Sequence, residues 1–404
     1  MMERFFTQFP PQVGEILSRL EDAGWESWVV GGCVRDVLLG RPVHDWDICT
    51  AATPQQVTEL FSDCRVLPTG VEHGTVTLLY GGQSYEITMF RRESAYDGRR
   101  PGRVEPAGDI REDLSRRDFS MNAMAFHPQR GLLDCFGGQE DLEQKLIRAV
   151  GRAEARFSED ALRILRALRF AACYGLELEE QTAAAAFACA GGLAQLSGER
   201  VWQELSRLLD GPFAGAVLAQ YGKILQGLGA GWTGYELPCG AARLEGFAPE
   251  KGGSLWGRLA LVLWERPALL ETLRCPRVGK ERLRRIWQQA AAIPKGEGRE
   301  LLAWLAAFPK KDRAKDCAAA LYLAGQEALQ EPCEALLHSG IPLEVGDLAI
   351  SGKELLTLGL EAGPQLGQTL RRLLTAVWQG EAANEREALL HFCSLCESKE
   401  RKEK

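Results

Sequence analysis

Apolar residues recur at two different spacings along the chain, and the change falls near Arg148. Val13, Ile16, Leu17 and Leu20 recur at helix spacing, which predicts a helix over 11–23. Trp28–Val30 is a short β-type run that stops at Gly31–Gly32. Cys33–Leu39 follows, with Val34, Val37 and Leu38 apolar at helix spacing, and Gly40 ends it as a glycine commonly does. The chain is extended again over His44–Ile48. Thr53 before Pro54 reads as an N-cap with proline at the first helical position, and Val57, Leu60 and Phe61 form that helix's apolar face. Gly74–Tyr80 and Ser84–Phe90 are strand-like runs joined as a hairpin at Gly81–Gly82. Residues 91–110 are rich in Arg, Gly and Pro, lack periodicity, and read as a long loop.

Beyond Arg148 the strand signals disappear. Ser158 reads as the N-cap of a helix that ends at Gly175, with Glu159 and Asp160 in its first turn. Asp160, Arg163, Arg166 and Arg169 fall three apart and trace one slanting face. A solvated, salt-bridged helix explains that spacing as well as a site does. Gln203–Leu209 continues a further helix after SGERVWQEL, and the rest is helix-rich. The pattern predicts an α+β head over 1–148 followed by an all-helical remainder.

A chain of 404 residues has room for about two to four domains. The formal net charge of −7 does not advertise a nucleic-acid binder, although phosphate contacts need only a local basic surface. Arg274, Arg277, Lys280, Arg282, Arg284 and Arg285 form one such cluster, which either meets a phosphate backbone or is a solvated face. The start, MMERFFTQFP, has no long apolar core and is not a secretory signal. No stretch is apolar enough for a membrane span, so a cytoplasmic protein without a membrane partner is expected. Twelve scattered cysteines then read as reduced thiols. Cys393 and Cys396, with His391 before them, lack the further ligands that a structural zinc needs, so two thiols on a helical tail are expected.

The candidate chemistry begins at Asp45 and Asp47, which alternate with Trp46 and Ile48. In a strand, residues two apart share a face, so the two carboxylates would sit side by side. That is unfavourable unless a cation lies between them, and the oxygen donors suit Mg²⁺. Gly32 opens a helix whose first N–H groups can meet phosphates, and Arg35, one turn in, can add a charged fork. Alone, Asp-x-Asp is usually surface charge and Gly-Gly a turn. In this order and within one segment they point to a metal–nucleotide site. Glu86, in the second hairpin strand, is a candidate third carboxylate, with a plain exposed strand residue the preferred reading.

The string GGCVRDVLLGRPVHDWDICT resembles the signature of polymerase-β-like nucleotidyltransferases. In its fuller form it is similar to the bacterial class II tRNA nucleotidyltransferase (CCA-adding) and poly(A) polymerase family. RRDFSMNA at Arg116–Ala123 and SEDALRILRALRF from Ser158 resemble that family's second motif and its base-reading motif. The resemblance implies a catalytic head over 1–148, a helical neck carrying the base-reading motif over 149–210, a helical body over 211–330 and a tRNA-binding tail over 331–404. It implies that Asp45 and Asp47 hold Mg²⁺ and carry catalysis. It makes Gly32, Arg35, Arg117, Asp160, Arg163, Arg166 and Arg169 nucleotide-binding, with Asp118 and Asn122 shaping the ribose and phosphate site. The implied reaction is addition of CCA to a tRNA 3′ end from CTP and ATP, with pyrophosphate leaving. A poly(A) polymerase, an enzyme adding only C or only A, and a non-catalytic RNA-binding relative stay open. So does the oligomeric state, a homodimer included. Family members that stop after two cytosines tend to lack the loop found here at 91–110, which favours full addition.

Base choice without a template has a chemical solution in these residues. Cytosine and adenine present an amine donor beside a ring-nitrogen acceptor, and uracil and guanine reverse the pattern. A carboxylate beside a guanidinium complements the first and opposes the second. Asp160 and Arg163, one helical turn apart, would supply that pair.

Overall fold

The computed structural model describes residues 5, 7–96, 101–237, 240–249, 253–295 and 298–400. They form two compact units, residues 1–237 and 238–404.

The first unit is built on strands β1 (Ser27–Val30), β2 (Ile48–Thr50), β3 (Arg65–Gly70), β4 (Thr75–Tyr80), β5 (Gln83–Met89), β6 (Arg91–Tyr96), β7 (Pro101–Pro106), β8 (Met124–His127) and β9 (Gly131–Asp134). Seven of them make one sheet in the order β3-β4-β5-β2-β1-β8-β9. All neighbours in it are antiparallel except β2 and β5. The hairpin expected at Gly81–Gly82 is present. Both glycines have positive φ (56° and 81°), the backbone that a two-residue turn between right-twisted strands requires. The helices at Pro11–Asp22 and Pro54–Leu60 are also where periodicity and the Thr53-Pro54 start signal place them. Thr53 and Gln56 close a reciprocal capping box there. One face of the sheet buries Trp28, Val30, Cys49, Phe90, Ala123 and Ala125 beneath Ile110 and Leu114. On the other, Phe5 stacks on Phe126 with centroids 4.0 Å apart.

Four expectations change. The strand expected at His44–Ile48 begins only at Ile48. β1 ends at Val30 because the chain turns at Gly31 (φ 77°), so residues 45 and 46 have no strand to pair with. Only the Asp47 carbonyl extends the ladder, accepting from the Val30 N–H at 3.0 Å. The loop expected at 91–110 is a two-stranded ribbon over β6 and β7, paired from Arg91↔Pro106 to Tyr96↔Pro101; residues 97–100 lie outside those described. Strands also do not quite cease at Arg148. β10 (Leu146–Ile147) pairs in parallel with β11 (Glu177–Leu178), fastening the end of the head to the chain that follows Gly175.

The helix expected from Ser158 to Gly175 is two helices, Ala153–Glu159 and Leu162–Tyr174. Asp160 interrupts them with extended backbone (φ −147°, ψ 104°). Its side chain accepts from the Leu162 N–H at 3.0 Å, the local competition with helical bonding typical of aspartate. The second helix ends at Gly175 in left-handed backbone, as expected. Ser197 then caps the helix Gly198–Asp210.

Among the described residues the second unit has no strand. The candidate basic cluster sits in and before the helix Arg277–Ala291 and is largely neutralised within the unit. Lys280 and Arg284 both pair with Glu271, and Arg277 pairs with Glu281. Arg282 is tied to Asp312 (3.1 Å) and to the fully buried Asp316 (2.6 Å). Further along, Leu348, Ile350, Leu355, Leu370, Leu373 and Leu389 form a separate core, with Cys393 packed at its edge; the Cys396 side chain lies outside the described residues. Among the described residues no helix is long and apolar enough to cross a membrane.

Candidate active site

A cavity of about 700 Å³ opens in the first unit where six stretches converge, and Arg91 of β6 lines it too. Gly31, Gly32 and Arg35 come from the turn after β1 and the helix Gly32–Leu38. Asp47 and Cys49 come from the edge of β2, Glu86 and Thr88 from β5, and Arg116, Arg117, Asp118 and Asn122 from the RRDFSMNA stretch. Asp160, Arg163, Arg166, Arg169 and Phe170 come from the broken helix, with Arg200 and Arg207 from the helix behind it. Nine arginines line the cavity against four carboxylates, in a chain of net charge −7. The positive field that the whole sequence hides is concentrated here, where it suits a polyphosphate.

Of the eleven residues expected from the sequence, ten line this cavity, and Asp45 sits beside it, exposed. Glu86 is an exposed residue of β5, as preferred, and it lines the cavity as well. Burial pushes the Asp47 carboxyl up to about 6, Glu86 and Asp45 push the same way, and Arg117 opposes them. Three carboxylates whose charges oppose one another are the condition that a divalent cation relieves. Among the described residues no three His, Cys, Asp or Glu side chains gather tightly enough to hold a metal alone. The carboxylates could supply part of a coordination shell, leaving the rest to phosphate oxygens and water, as is usual for Mg²⁺.

Of the glycine pair, Gly31 is required by its neighbours, whereas a Cβ on Gly32 would make only ordinary contact with Arg35. A Cβ on Gly31 would lie 2.7 Å from Arg117 Nη1, and Gly31 has φ 77°. Arg117 therefore rests directly on the turn whose N–H groups open the next helix. Burial opposes its charge, but the surrounding groups, Asp113 first among them, together hold its pKa above the ordinary value.

Arg35 does not extend a free fork. Its Nη1 donates to Asn122 Oδ1 (2.7 Å), its Nη2 to the Tyr174 hydroxyl (2.6 Å), and its Nε to Asp36 (3.0 Å). It braces three stretches of the cavity against one another. Asp118 is buried, which alone would raise its carboxyl. The Arg166 charge, at 2.6 Å, and hydrogen bonds from Asn122 and the Phe119 N–H hold it below its ordinary value. Arg169 pairs with Glu204 at 2.6 Å and lies 4.0 Å over the Phe170 ring. The Cys49 thiol is pushed up to about 12 by burial, so it stays protonated beside the site.

Asp160 and Arg163 do not pair with each other. Asp160 Oδ2 accepts from Arg200 Nη2 at 2.7 Å. Arg163 Nη1 pairs with Glu159 at 2.6 Å, and Nη2 donates to the Arg116 carbonyl at 3.2 Å. The helix break causes this, since Asp160 precedes the first turn instead of lying within it. Both side chains still face the same cavity. Arg200 carries no periodic signal; its only sequence cue is its place in SGERVWQEL.

Three family models match the chain: the poly(A) polymerase head domain over residues 27–148, a probable RNA- and SrmB-binding site of polymerase A over 175–221, and a putative tRNA nucleotidyltransferase domain 2 over 313–393. The chain is 36% identical to the CCA-adding enzyme of Lactobacillus delbrueckii subsp. bulgaricus over 406 residues, covering 96% of this chain and 98% of that protein. It is 38% identical to the CCA-adding enzyme of Geobacillus thermodenitrificans, covering 93% and 94%. The crystal structure of the Bacillus stearothermophilus CCA-adding enzyme in complex with CTP superposes with a TM-score of 0.74 at 30% identity, covering 98% of this chain and 99% of that one.

Proposed function

The chain belongs to the CCA-adding enzyme family, and from that premise we infer that it adds the 3′-terminal CCA to tRNA, using CTP and ATP and releasing pyrophosphate. The observation that carries this reading is the convergence of three chemistries on one cavity. A glycine turn and arginines suit the phosphates, Asp47 and Glu86 suit a cation, and Asp160 with Arg163 suits a base edge.

In this reading the triphosphate lies against Gly32, Arg116 and Arg117, and Asp118 and Asn122 shape the ribose site. Arg166 and Arg169 hold that wall in place through Asp118 and Glu204. Family membership brings dependence on a divalent cation. Here the cation is taken to be Mg²⁺, held by Asp45 and Asp47 with Glu86 as a third carboxylate. When bound, it supplies activation of the attacking 3′-hydroxyl and charge neutralisation of the leaving phosphates. The protein's own contribution is positioning and preorganised positive charge. Asp160 offers an acceptor to the exocyclic amine of cytosine or adenine, and Arg163 offers a donor to the neighbouring ring nitrogen. Uracil and guanine meet a carboxylate with a carbonyl, which leaves buried groups unpaired.

Residues 1–148 are then the catalytic head, 149–210 the base-reading neck, 211–330 the body and 331–404 a tail that takes tRNA by shape and phosphate contacts. In this reading the enzyme works in the cytoplasm on its tRNA substrate. Incubation with tRNAs ending before C74, C75 and A76, each with one labelled triphosphate, tests the reading. Cytidylate should enter at the first two stages and adenylate at the third. Adenylate addition at every stage would instead identify a poly(A) polymerase, and failure at the third stage an enzyme that adds only C.

A further inference from the structure

We propose that Asp113 is a positioning residue for the triphosphate, a single buried carboxylate that sets two cavity arginines and the root of the β6–β7 ribbon together. The inference rests on the reading that a nucleoside triphosphate occupies the cavity.

Asp113 lies on the helix Ile110–Ser115, is fully buried, and stands behind the cavity wall. Its Oδ1 accepts from Arg116 Nη2 (2.7 Å) and Nε (3.0 Å), and from the Arg91 N–H (3.3 Å). Its Oδ2 accepts from Arg117 Nη2 (3.1 Å) and Nε (3.3 Å). Arg116 Nε also donates to the Arg91 carbonyl at 3.0 Å. Both backbone polar groups of Arg91, the first residue of β6, therefore end on this Asp113–Arg116 pair.

Two guanidiniums on one carboxylate leave an excess of positive charge, and both face the cavity. Arg117 is held against the Gly31 turn, where the phosphates of the proposed reading lie. An arginine loses several rotatable bonds of freedom when it is fixed, so a binding site gains if another group has fixed it beforehand. Asp113 does this for both arginines from a place that a ligand does not reach.

Charge and position predict opposite outcomes. If Asp113 served only to balance charge, removing it would add positive potential beside the phosphates and tighten their binding. If it positions, removal frees both guanidiniums and loosens the ribbon root, and binding weakens.

The test uses full-length Asp113→Asn, which keeps the shape and removes the charge. Inorganic pyrophosphate, which has no base, is titrated as an inhibitor of CTP incorporation, and KM and kcat are measured for CTP and ATP. The pyrophosphate inhibition constant and both KM values should rise about 10- to 100-fold, the range for lost charge-assisted hydrogen bonds. kcat should fall less, and the ratio of CTP to UTP use should hold, because Asp160 is untouched. An unchanged or lower inhibition constant overturns the proposal, as does a fall in melting temperature with KM unaltered. If pyrophosphate does not inhibit the wild-type enzyme, the occupancy reading itself fails and takes the proposal with it. Should Asp113→Asn not fold, Asp113→Glu keeps the charge and shifts it by one methylene. Positioning then predicts weaker pyrophosphate binding, and charge balance predicts no change.

Discussion

Asp160 Oδ2 lies 2.7 Å from Arg200 Nη2, forty residues along the chain, and Arg163 turns to Glu159. Both groups proposed to face the base thus already have protein partners. Carboxylate oxygens have acceptor capacity to spare, so Arg200 can hold the Asp160 rotamer while the base amine shares the same oxygen.

Arg200→Ala should therefore raise KM for CTP and ATP about tenfold, the loss of roughly one charged hydrogen bond. The pair is partly exposed, so unfolding free energy should fall by less than about 1 kcal/mol. Steady-state kinetics beside urea unfolding separates the two effects. Unchanged KM values would leave Arg200 a surface ion pair.

Asp47→Asn should abolish nucleotide incorporation, and in metal-free buffer it should stabilise the protein at alkaline pH. The folded carboxyl is raised to about 6 from an ordinary 3.8, with burial the main cause. The unfolded chain therefore holds fewer protons than the folded one between these values. The stability that this group contributes is complete below the unfolded value and is lost as pH rises through 6. The variant should gain at most about 3 kcal/mol over wild type at pH 8 and converge with it near pH 4. Melting temperatures across that range in a chelating buffer check it, and parallel profiles would contradict it.

Arg282→Ala should unfold the second unit more readily by about 3–5 kcal/mol, because it strands the fully buried Asp316 carboxylate. Arg277→Ala, at a side chain 92% exposed, should cost less than about 1 kcal/mol. A fair test of this helix as a tRNA surface thus neutralises Arg277, Arg284 and Arg285 and spares Arg282. Unchanged affinity and unchanged salt dependence would exclude the surface.

Much of the site was legible because its parts are contiguous. The Gly31–Gly32 turn, Asp47 and the three-residue spacing of Arg163, Arg166 and Arg169 each declare themselves within one short segment, and all of them line the cavity. What was not legible depends on distant partners. Nothing near Arg200 announces Asp160, and nothing in Ile110–Ser115 announces that Asp113 will be buried under two arginines. The break at Asp160 was hidden because a helix pattern continues through it; the aspartate's own bond to the Leu162 N–H prevails locally. The ribbon at 91–106 was hidden because Arg, Gly and Pro supply no period-two signal, and its pairing is visible only in the backbone.

The central claim is that Asp160 and Arg163 choose the base. It is tested most directly by kcat/KM for CTP against UTP on tRNA lacking its 3′ end, in wild type and in Asp160→Ala. Discrimination is the ratio of those values, and one good bidentate contact carries about 1–3 kcal/mol of it. The ratio should fall about 10- to 100-fold in the variant, as the wrong base is no longer repelled and the right one no longer held. A ratio equal to that of wild type, with only the overall rate or the stability reduced, would contradict the account.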